Sequence, residues 1–160
     1  MSGSNVSKMR AEVIETLIGL EACIDALIGL HYLGRVSLAF YHEVLYDEYF
    51  SFGLKVRILE KILAAEGDKH RQQTEKLRRL SNIRNLFAHC GVKRYDAATK
   101  RTFVPNPRNP DEALDFDALH KEFFGTVPEV RDLLIKKAAE KGGEVKIQEN
   151  GQWVDVTAPE

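Results

Sequence analysis

Residues 77–90 read LRRLSNIRNLFAHC, and their apolar side chains recur at steps of three and four residues. On a helical wheel of about 100° per residue, these side chains occupy a single arc. The arc consists of Leu77, Leu80, Ile83, Leu86, Phe87 and Cys90. The pattern predicts a helix over residues 69–90, capped by the carboxylate of Asp68, with one face buried in a helical core.

The opposite face of this predicted helix is entirely polar. We refer to it as the polar stripe, and it consists of Arg71, Arg78, Asn82, Asn85 and His89. Solvated helix faces are usually built from Glu and Lys, which favour the helix, whereas Asn disfavours it. Two Asn and a His within two turns indicate either a polar dimer interface or a binding site. An ordinary solvated face is the third interpretation, and the wheel leaves all three open.

Helical periodicity also marks the chain before this stretch. Residues 7–33 carry the strongest pattern, with Ser7 as the predicted N-cap and Gly34 as the stop. Residues 36–49 predict a second, aromatic-rich helix, and a third helix follows and ends at Gly67. Three helices therefore precede the one that carries the polar stripe.

The pattern changes after that helix. Residues 92–104 form two short strand-like runs around a polar turn, which predict a β-hairpin, and residues 105–112 predict a loop. Pro110 could begin a further helix with Asn109 as its cap. The last residues predict a second hairpin that turns at Asn150-Gly151.

The final predicted helical segment contains a possible helix start in its interior. Thr126 and Glu129 have the spacing of a capping box, with Pro128 between them, which predicts either two helices or one kinked helix. The elements together predict an all-α bundle of about five helices with a small β-hairpin inserted after the fourth. A length of 160 residues predicts one domain, with its core at about 8–140 and a tail at 141–160.

Composition argues against several classes of protein. Cys23 and Cys90 are the only cysteines, and each lies in an apolar stretch, which predicts reduced thiols in a cytoplasmic protein and disfavours a zinc site. The N-terminal MSGSNVSKMR lacks the apolar core of a signal peptide. Glu21, Asp25 and His31 interrupt the longest apolar stretches, which disfavours a membrane span.

Charge is distributed unevenly along the chain. The net charge is −1, but residues 65–104 hold 10 Lys and Arg against 4 Asp and Glu, a balance of +6. Residues 105–160 hold 7 against 12, a balance of −5. The segment that contains the polar stripe is therefore the basic part of an acidic chain. Such asymmetry can steer a polyanion to one face, although a basic helix packed beside acidic ones is also common.

Arg84 and His89 supply the chemistry of metal-free RNA cleavage. Histidine exchanges protons near neutral pH, and the carbonyl groups at a helix C-terminus stabilise a positive charge at His89. Arg84 would stabilise the charge on a phosphorane. On the wheel the two residues lie about 140° apart, with Arg84 at the border of the polar stripe. One His does not easily serve as both base and acid, so we expect two copies of the motif to face each other in a homodimer.

The sequence Arg84-Asn85-Leu86-Phe87-Ala88-His89 resembles the R-x4–6-H motif of the HEPN superfamily, in which a polar residue often follows the Arg. The segments SFGLKVRILEKIL and DFDALHKEFFGTVPEVRDLL also resemble the helices that flank this motif in small bacterial members. The resemblance covers residues 8–140. It implies a helical bundle, usually dimeric, and in many members a metal-independent ribonuclease of toxin–antitoxin or antiviral systems.

Carried over to this chain, the resemblance implies that Arg84 and His89 are catalytic and that Asn85 supports them. Arg78 and Asn82 lie on the same stripe and are the predicted substrate-binding residues. No cofactor or metal is expected, and a cognate antitoxin or regulatory protein is a possible partner. Some family members are instead non-catalytic binding or regulatory modules, similar to mannitol-operon regulators, and this is the main alternative. A DNA-binding repressor is weaker because the chain has no recognisable helix-turn-helix.

Overall fold

The computed structural model describes residues 3–67, 70–89, 91, 94–107, 109–143, 145–149 and 152–156. This part of the chain is mostly helical, as the sequence predicts, with a small antiparallel sheet in addition. The helices are α1 Gly3–Leu33, α2 Leu38–Phe40, a π-helical turn Tyr41–Leu45, α3 Phe52–Ala64, α4 Arg71–His89 and α5 Phe116–Glu140. The strands are β1 Arg94–Asp96, β2 Arg101–Asn106, β3 Asn109–Asp115, β4 Val145–Glu149 and β5 Gln152–Val156.

The chain divides into two compact units. Unit 1 comprises Met1–Ile18 and Arg79–Pro128, and unit 2 comprises Gly19–Arg78 and Glu129–Glu160. Unit 1 therefore contains the sheet of β1, β2 and β3 and the part of α4 that carries Arg84-Asn85 and His89.

The core of unit 1 forms on the apolar arc of α4. Ile83 and Phe87 are fully buried, and the ring of Phe87 stacks on that of Phe116 with 3.8 Å between centroids. Leu80 and Leu86 are also buried, as is Leu77 in unit 2, which confirms the predicted arc. Cys90 lies outside the described residues. Burial of this arc leaves the polar stripe on the outer face of α4.

In unit 2, α1 ends where the sequence predicts. Gly34 has a φ of +67°, which glycine adopts without strain, and its N–H donates to the carbonyl of Leu30 at 3.1 Å. The predicted N-cap of the same helix, in unit 1, is wrong, because α1 already begins at Gly3 and Ser7 lies inside it. Neither Gly nor Pro interrupts residues 4–7, so one more turn can form there. Asp68, the predicted cap of α4, lies outside the described residues.

The second predicted helix, residues 36–49, is much shorter in the structure. Ser37 caps α2, since its hydroxyl accepts the N–H of Phe40. The following turn is π-helical, with the N–H of Tyr46 donating to the carbonyl of Tyr41 at 2.8 Å. Asp47 then ends the helical path, because its carboxylate accepts the N–H of Tyr49 at 2.9 Å.

The predicted loop at residues 105–112 is wrong. β1 and β2 form the predicted hairpin, but β3 adds a third strand, in the order β1-β2-β3, with Val104 opposite Leu114. Pro110 is tolerated because β3 is an edge strand, where a missing N–H costs little. The predicted helix start at Asn109 and Pro110 is also wrong, since α5 begins at Phe116 and the carboxylate of Asp115 caps it by accepting the N–H of Ala118.

The capping box predicted at Thr126 and Glu129 does not form, and α5 is a single helix that contains Pro128. In unit 1, the Thr126 hydroxyl donates to the Glu122 carbonyl at 2.8 Å, as Thr commonly does within a helix. In unit 2, the Glu129 carboxylate accepts from the ammonium of Lys76. The second predicted hairpin is confirmed by the pairing of β4 with β5, while Asn150-Gly151 lies outside the described residues.

Candidate functional site

A groove of about 440 Å³ opens on unit 1 beside the polar stripe. On one side it is lined by Asn82, Asn85 and His89, all on α4. On the other side lie residues at the end of β2, at the turn that follows and in β3. They are Asn106, Pro107 and Leu114. We refer to this feature as the asparagine groove, because three of its lining residues are Asn.

The amide of Asn82 and the imidazole of His89 are both exposed in the groove. Neither side chain makes a hydrogen bond or ion pair with any residue that the structure describes. His89 is the last residue of α4, so its imidazole lies at the C-terminal end of this helix. The groove therefore presents one amide and one imidazole that can both bind a ligand.

Arg84 and Asn85 are joined directly. The Arg84 guanidinium donates through Nη1 to Oδ1 of Asn85 at 3.2 Å. Arg84 is half-buried, and its Nε has no acceptor among the described residues. A buried donor without a partner costs about 1–3 kcal/mol, so this guanidinium is held in place at a cost to stability. Arg84 does not itself line the groove, and Asn85 connects it to the groove.

Arg79 lines the groove, and its guanidinium forms an ion pair with Glu122. Its Nε and Nη2 donate to the two carboxylate oxygens of Glu122 at 2.6 and 2.7 Å. These hydrogen bonds lower the pKa of Glu122 and raise that of Arg79. Such a bidentate pair fixes both side chains in one geometry, so the charge of Arg79 is already neutralised locally.

Arg78, a predicted substrate-binding residue, lies elsewhere. It belongs to unit 2, where its guanidinium forms a bidentate pair with the carboxylate of Glu60. These hydrogen bonds raise the pKa of Arg78. It lines a smaller cavity of about 170 Å³ with His70, Arg71 and Thr74 among its neighbours. The structure therefore brings Asn82, Asn85 and His89 together in the groove and leaves Arg78 out.

Sequence reasoning missed five lining residues of the groove. Leu86 was predicted only as part of the buried arc. Arg79 lies three residues before Asn82, so the helical wheel could have placed it beside the stripe. Asn106, Pro107 and Leu114 gave no comparable signal, because their position depends on the pairing of β2 with β3.

A second polar pair occupies another part of unit 1. Nε2 of His120 lies 2.9 Å from Oε2 of Glu12 in a shallow depression that Glu15, Thr16 and Phe124 also line. The imidazole of His120 packs against the ring of Phe124 at 4.7 Å. Because its imidazole is already paired and packed, His120 is a weaker candidate for chemistry than His89.

In the part of the chain that the structure describes, no group of three or more His, Cys, Asp or Glu side chains is placed to hold a metal ion. The described helices also lack the combination of length and apolar composition that a bilayer crossing requires. Cys23 is half-buried, and burial raises the pKa of its thiol.

No protein-family model, curated protein or solved structure matches this chain. Its function is therefore inferred from the groove, the motif and their chemistry.

Proposed function

We propose that this protein is a cytoplasmic, metal-independent endoribonuclease of HEPN type that acts as a homodimer in a toxin or defence-like system. One observation carries the proposal: the exposed imidazole of His89, which has no hydrogen bond to a described residue, lies in a groove whose neighbouring amide, Asn85, is hydrogen-bonded to a half-buried Arg84. An Arg and a His are sufficient for RNA cleavage without a metal.

His89 is the proton-transfer group. It is exposed at the end of α4, and an imidazole can exchange protons with a substrate near neutral pH. As the base it takes the proton of a ribose 2′-OH. The 2′-oxygen then forms a bond to the adjacent phosphorus, and the bond from phosphorus to the 5′-oxygen breaks.

Arg84 stabilises the charge that develops on the phosphorane oxygens. Asn85 orients the guanidinium by accepting from Nη1, which limits the positions that Arg84 can adopt. The Nε–H of Arg84 has no acceptor among the described residues, so it is a donor that a phosphate oxygen can use.

A second copy completes the reaction. The leaving 5′-oxygen needs a proton while the base still holds the one it has taken, so an acid other than the same His89 is required. In a symmetric dimer the partner copy supplies its own His89 as that acid. The products are a 2′,3′-cyclic phosphate and a free 5′-hydroxyl.

The test is cleavage of a single-stranded RNA in EDTA. We expect wild-type protein to cut, and His89→Ala and Arg84→Ala each to lower the rate at least about a hundredfold. His31→Ala and Arg57→Ala are matched controls, because both residues are exposed and lie outside the groove. Equal cleavage by all five proteins would show that a contaminating nuclease does the cutting, and no cleavage by wild type would reject the enzyme.

Dimerisation is tested separately by light scattering together with activity. The specific activity should fall on dilution as dimers dissociate. Full activity of a protein that is monomeric at the assay concentration would reject the composite site.

Binding to a protein partner is the second candidate function, and one observation favours it. Unit 2 exposes large apolar side chains close together in sequence, including Leu38 at 70% and Tyr49 at 80% exposure. Such side chains are typical of protein interaction surfaces. This function would be supported if the wild-type protein does not cut RNA but binds a partner, such as an antitoxin, and if Tyr49→Ser abolishes that binding.

A further inference from the structure

The asparagine groove has two chemically different walls. Leu86, Pro107 and Leu114 supply an apolar surface, and Asn82, Asn85 and Asn106 supply amides. An unpaired nucleobase has the matching character, with apolar faces and a polar edge of donors and acceptors. From this match we propose that the groove binds an unpaired adenine of the RNA substrate, with Asn82 as the residue that reads it. This inference rests on the proposed function, because it names the substrate of the same site.

Adenine matches the amides of the groove, whereas guanine and cytosine are better matched by charged side chains. An Asn side chain carries one acceptor and one donor group, and adenine offers the complementary pair at N6 and N7. Guanine is read best by a free Arg or Lys, and cytosine by a free carboxylate. Arg79, which lines the groove, is not free to read guanine, because two hydrogen bonds hold its guanidinium on the carboxylate of Glu122.

The three amides differ in how strongly they are held. Asn106 donates through Nδ2 to the carboxylate of Glu112 at 2.7 Å, and Oδ1 of Asn85 accepts from Arg84. Asn82 makes no hydrogen bond with any described residue, so both of its polar groups can turn toward a base. It is therefore the amide best placed to determine specificity.

The position of Asn82 also connects base recognition to cleavage. Asn82 precedes His89 by seven residues, which is two helical turns and about 10 Å along α4. Asn85 lies between them on the same face. A base held at Asn82 therefore places its own nucleotide alongside the groove with a phosphate near His89. Adenine should consequently be found next to the bond that is cut.

The experiment compares four oligoribonucleotides that differ only in one base, A, C, G or U, beside a single cleavage site. Wild-type protein should prefer A by about tenfold or more. Asn82→Ala should remove most of this preference. Asn82→Asp keeps the size of the side chain but makes it an acceptor only, so preference should move from A toward C. Asn5→Asp is the matched control, an exposed helical Asn outside the groove, and should leave the preference for A unchanged.

A binding measurement separates this inference from the proposed function. The same four oligonucleotides are prepared with 2′-O-methyl groups, which block the attack on phosphorus, and their affinities are measured by fluorescence anisotropy. Selective binding of A that moves toward C in Asn82→Asp supports the adenine site, even if the unmodified RNA is not cut and the enzyme is rejected. Cleavage with no base preference, or a preference that survives Asn82→Ala, overturns the adenine site and leaves the enzyme standing. Equal binding of all four oligonucleotides also overturns it.

Discussion

Replacing Lys55 by Met should strongly destabilise unit 2. Lys55 lies on α3 with only 2% of its side chain exposed. Its ammonium donates to the carboxylates of Glu21 and Asp25 on α1 at 2.7 and 2.9 Å. Burial tends to lower the pKa of Lys55, but these hydrogen bonds outweigh burial and raise it. The substitution keeps an apolar side chain of nearly the same length and removes the ammonium, with its charge and its two hydrogen bonds.

The magnitude follows from Asp25. Its side chain is 2% exposed, and Oδ1 already lacks a hydrogen-bond partner among the described residues. Burial raises the pKa of Asp25 to about 6, against the opposing effect of Lys55. Without the ammonium an unpaired carboxylate remains in the core, which costs about 3–5 kcal/mol of unfolding free energy. In a protein of this size the melting temperature should fall by roughly 10 °C.

The assay is urea denaturation followed by circular dichroism at pH 7.5, for wild type, Lys55→Met and the double variant Lys55→Met/Asp25→Leu. The double variant removes both buried charges, so it should recover at least half of the lost stability. Lys61→Met is the matched control, an exposed lysine on the same helix, and should change stability little. A loss below about 1 kcal/mol in Lys55→Met, or a double variant no more stable than the single one, would refute this reasoning.

The pH dependence provides a further check. The folded-state pKa of Asp25, about 6, lies above its ordinary value of 3.8, so its ionisation opposes folding at neutral pH. This opposition is relieved as pH falls from above 6 toward 3.8, because the buried carboxyl becomes neutral. Removing the Lys55 ammonium raises that pKa further. The loss of unfolding free energy in Lys55→Met should therefore be smaller at pH 5 than at pH 7.5. A larger loss at pH 5 would show that the ionised carboxylate of Asp25 is not its cause.

Two further predictions concern unit 2. In Gly143→Ala the new Cβ would lie 2.6 Å from Cδ1 of Leu30, so the free energy of unfolding should fall by about 1–3 kcal/mol in thermal denaturation. Gly53→Ala is the control and should lose no stability, because a Cβ there would have nothing within 4 Å. The hydrogen bond from Lys137 lowers the pKa of Glu66 below its usual 4.5, so Glu66 stabilises the fold above that pH and loses this effect as pH falls through its folded-state value. In urea denaturation, Glu66→Gln should be less stable than wild type at pH 7 and should vary less between pH 5 and 3. If the unfolding free energies of wild type and Glu66→Gln change in parallel with pH, the ionised Glu66 carboxylate does not stabilise the fold.

The helices that carry strong periodicity were predictable because the repeat of apolar residues is a local property of the chain. The sequence therefore indicated α1, α3 and α4, the stop at Gly34 and the buried arc around Phe87. It also placed Asn82, Asn85 and His89 on one exposed face, since that depends only on helical geometry.

Other features depended on contacts between distant residues. Pro110 is compatible with both the first turn of a helix and an edge strand. It lies in a strand because β3 pairs with β2. The same pairing placed Asn106 and Leu114 opposite α4, which turned one face of a helix into a groove.

Arg78 and Arg79 are adjacent and of the same type, but their ion-pair partners differ. Arg78 pairs with Glu60 and Arg79 with Glu122, so only Arg79 lines the groove. The sequence by itself determined which residues face outward on the motif helix. Only the tertiary structure decided which of them share a site, because strand pairing and ion pairing join residues whose separation along the chain carries no periodic signal.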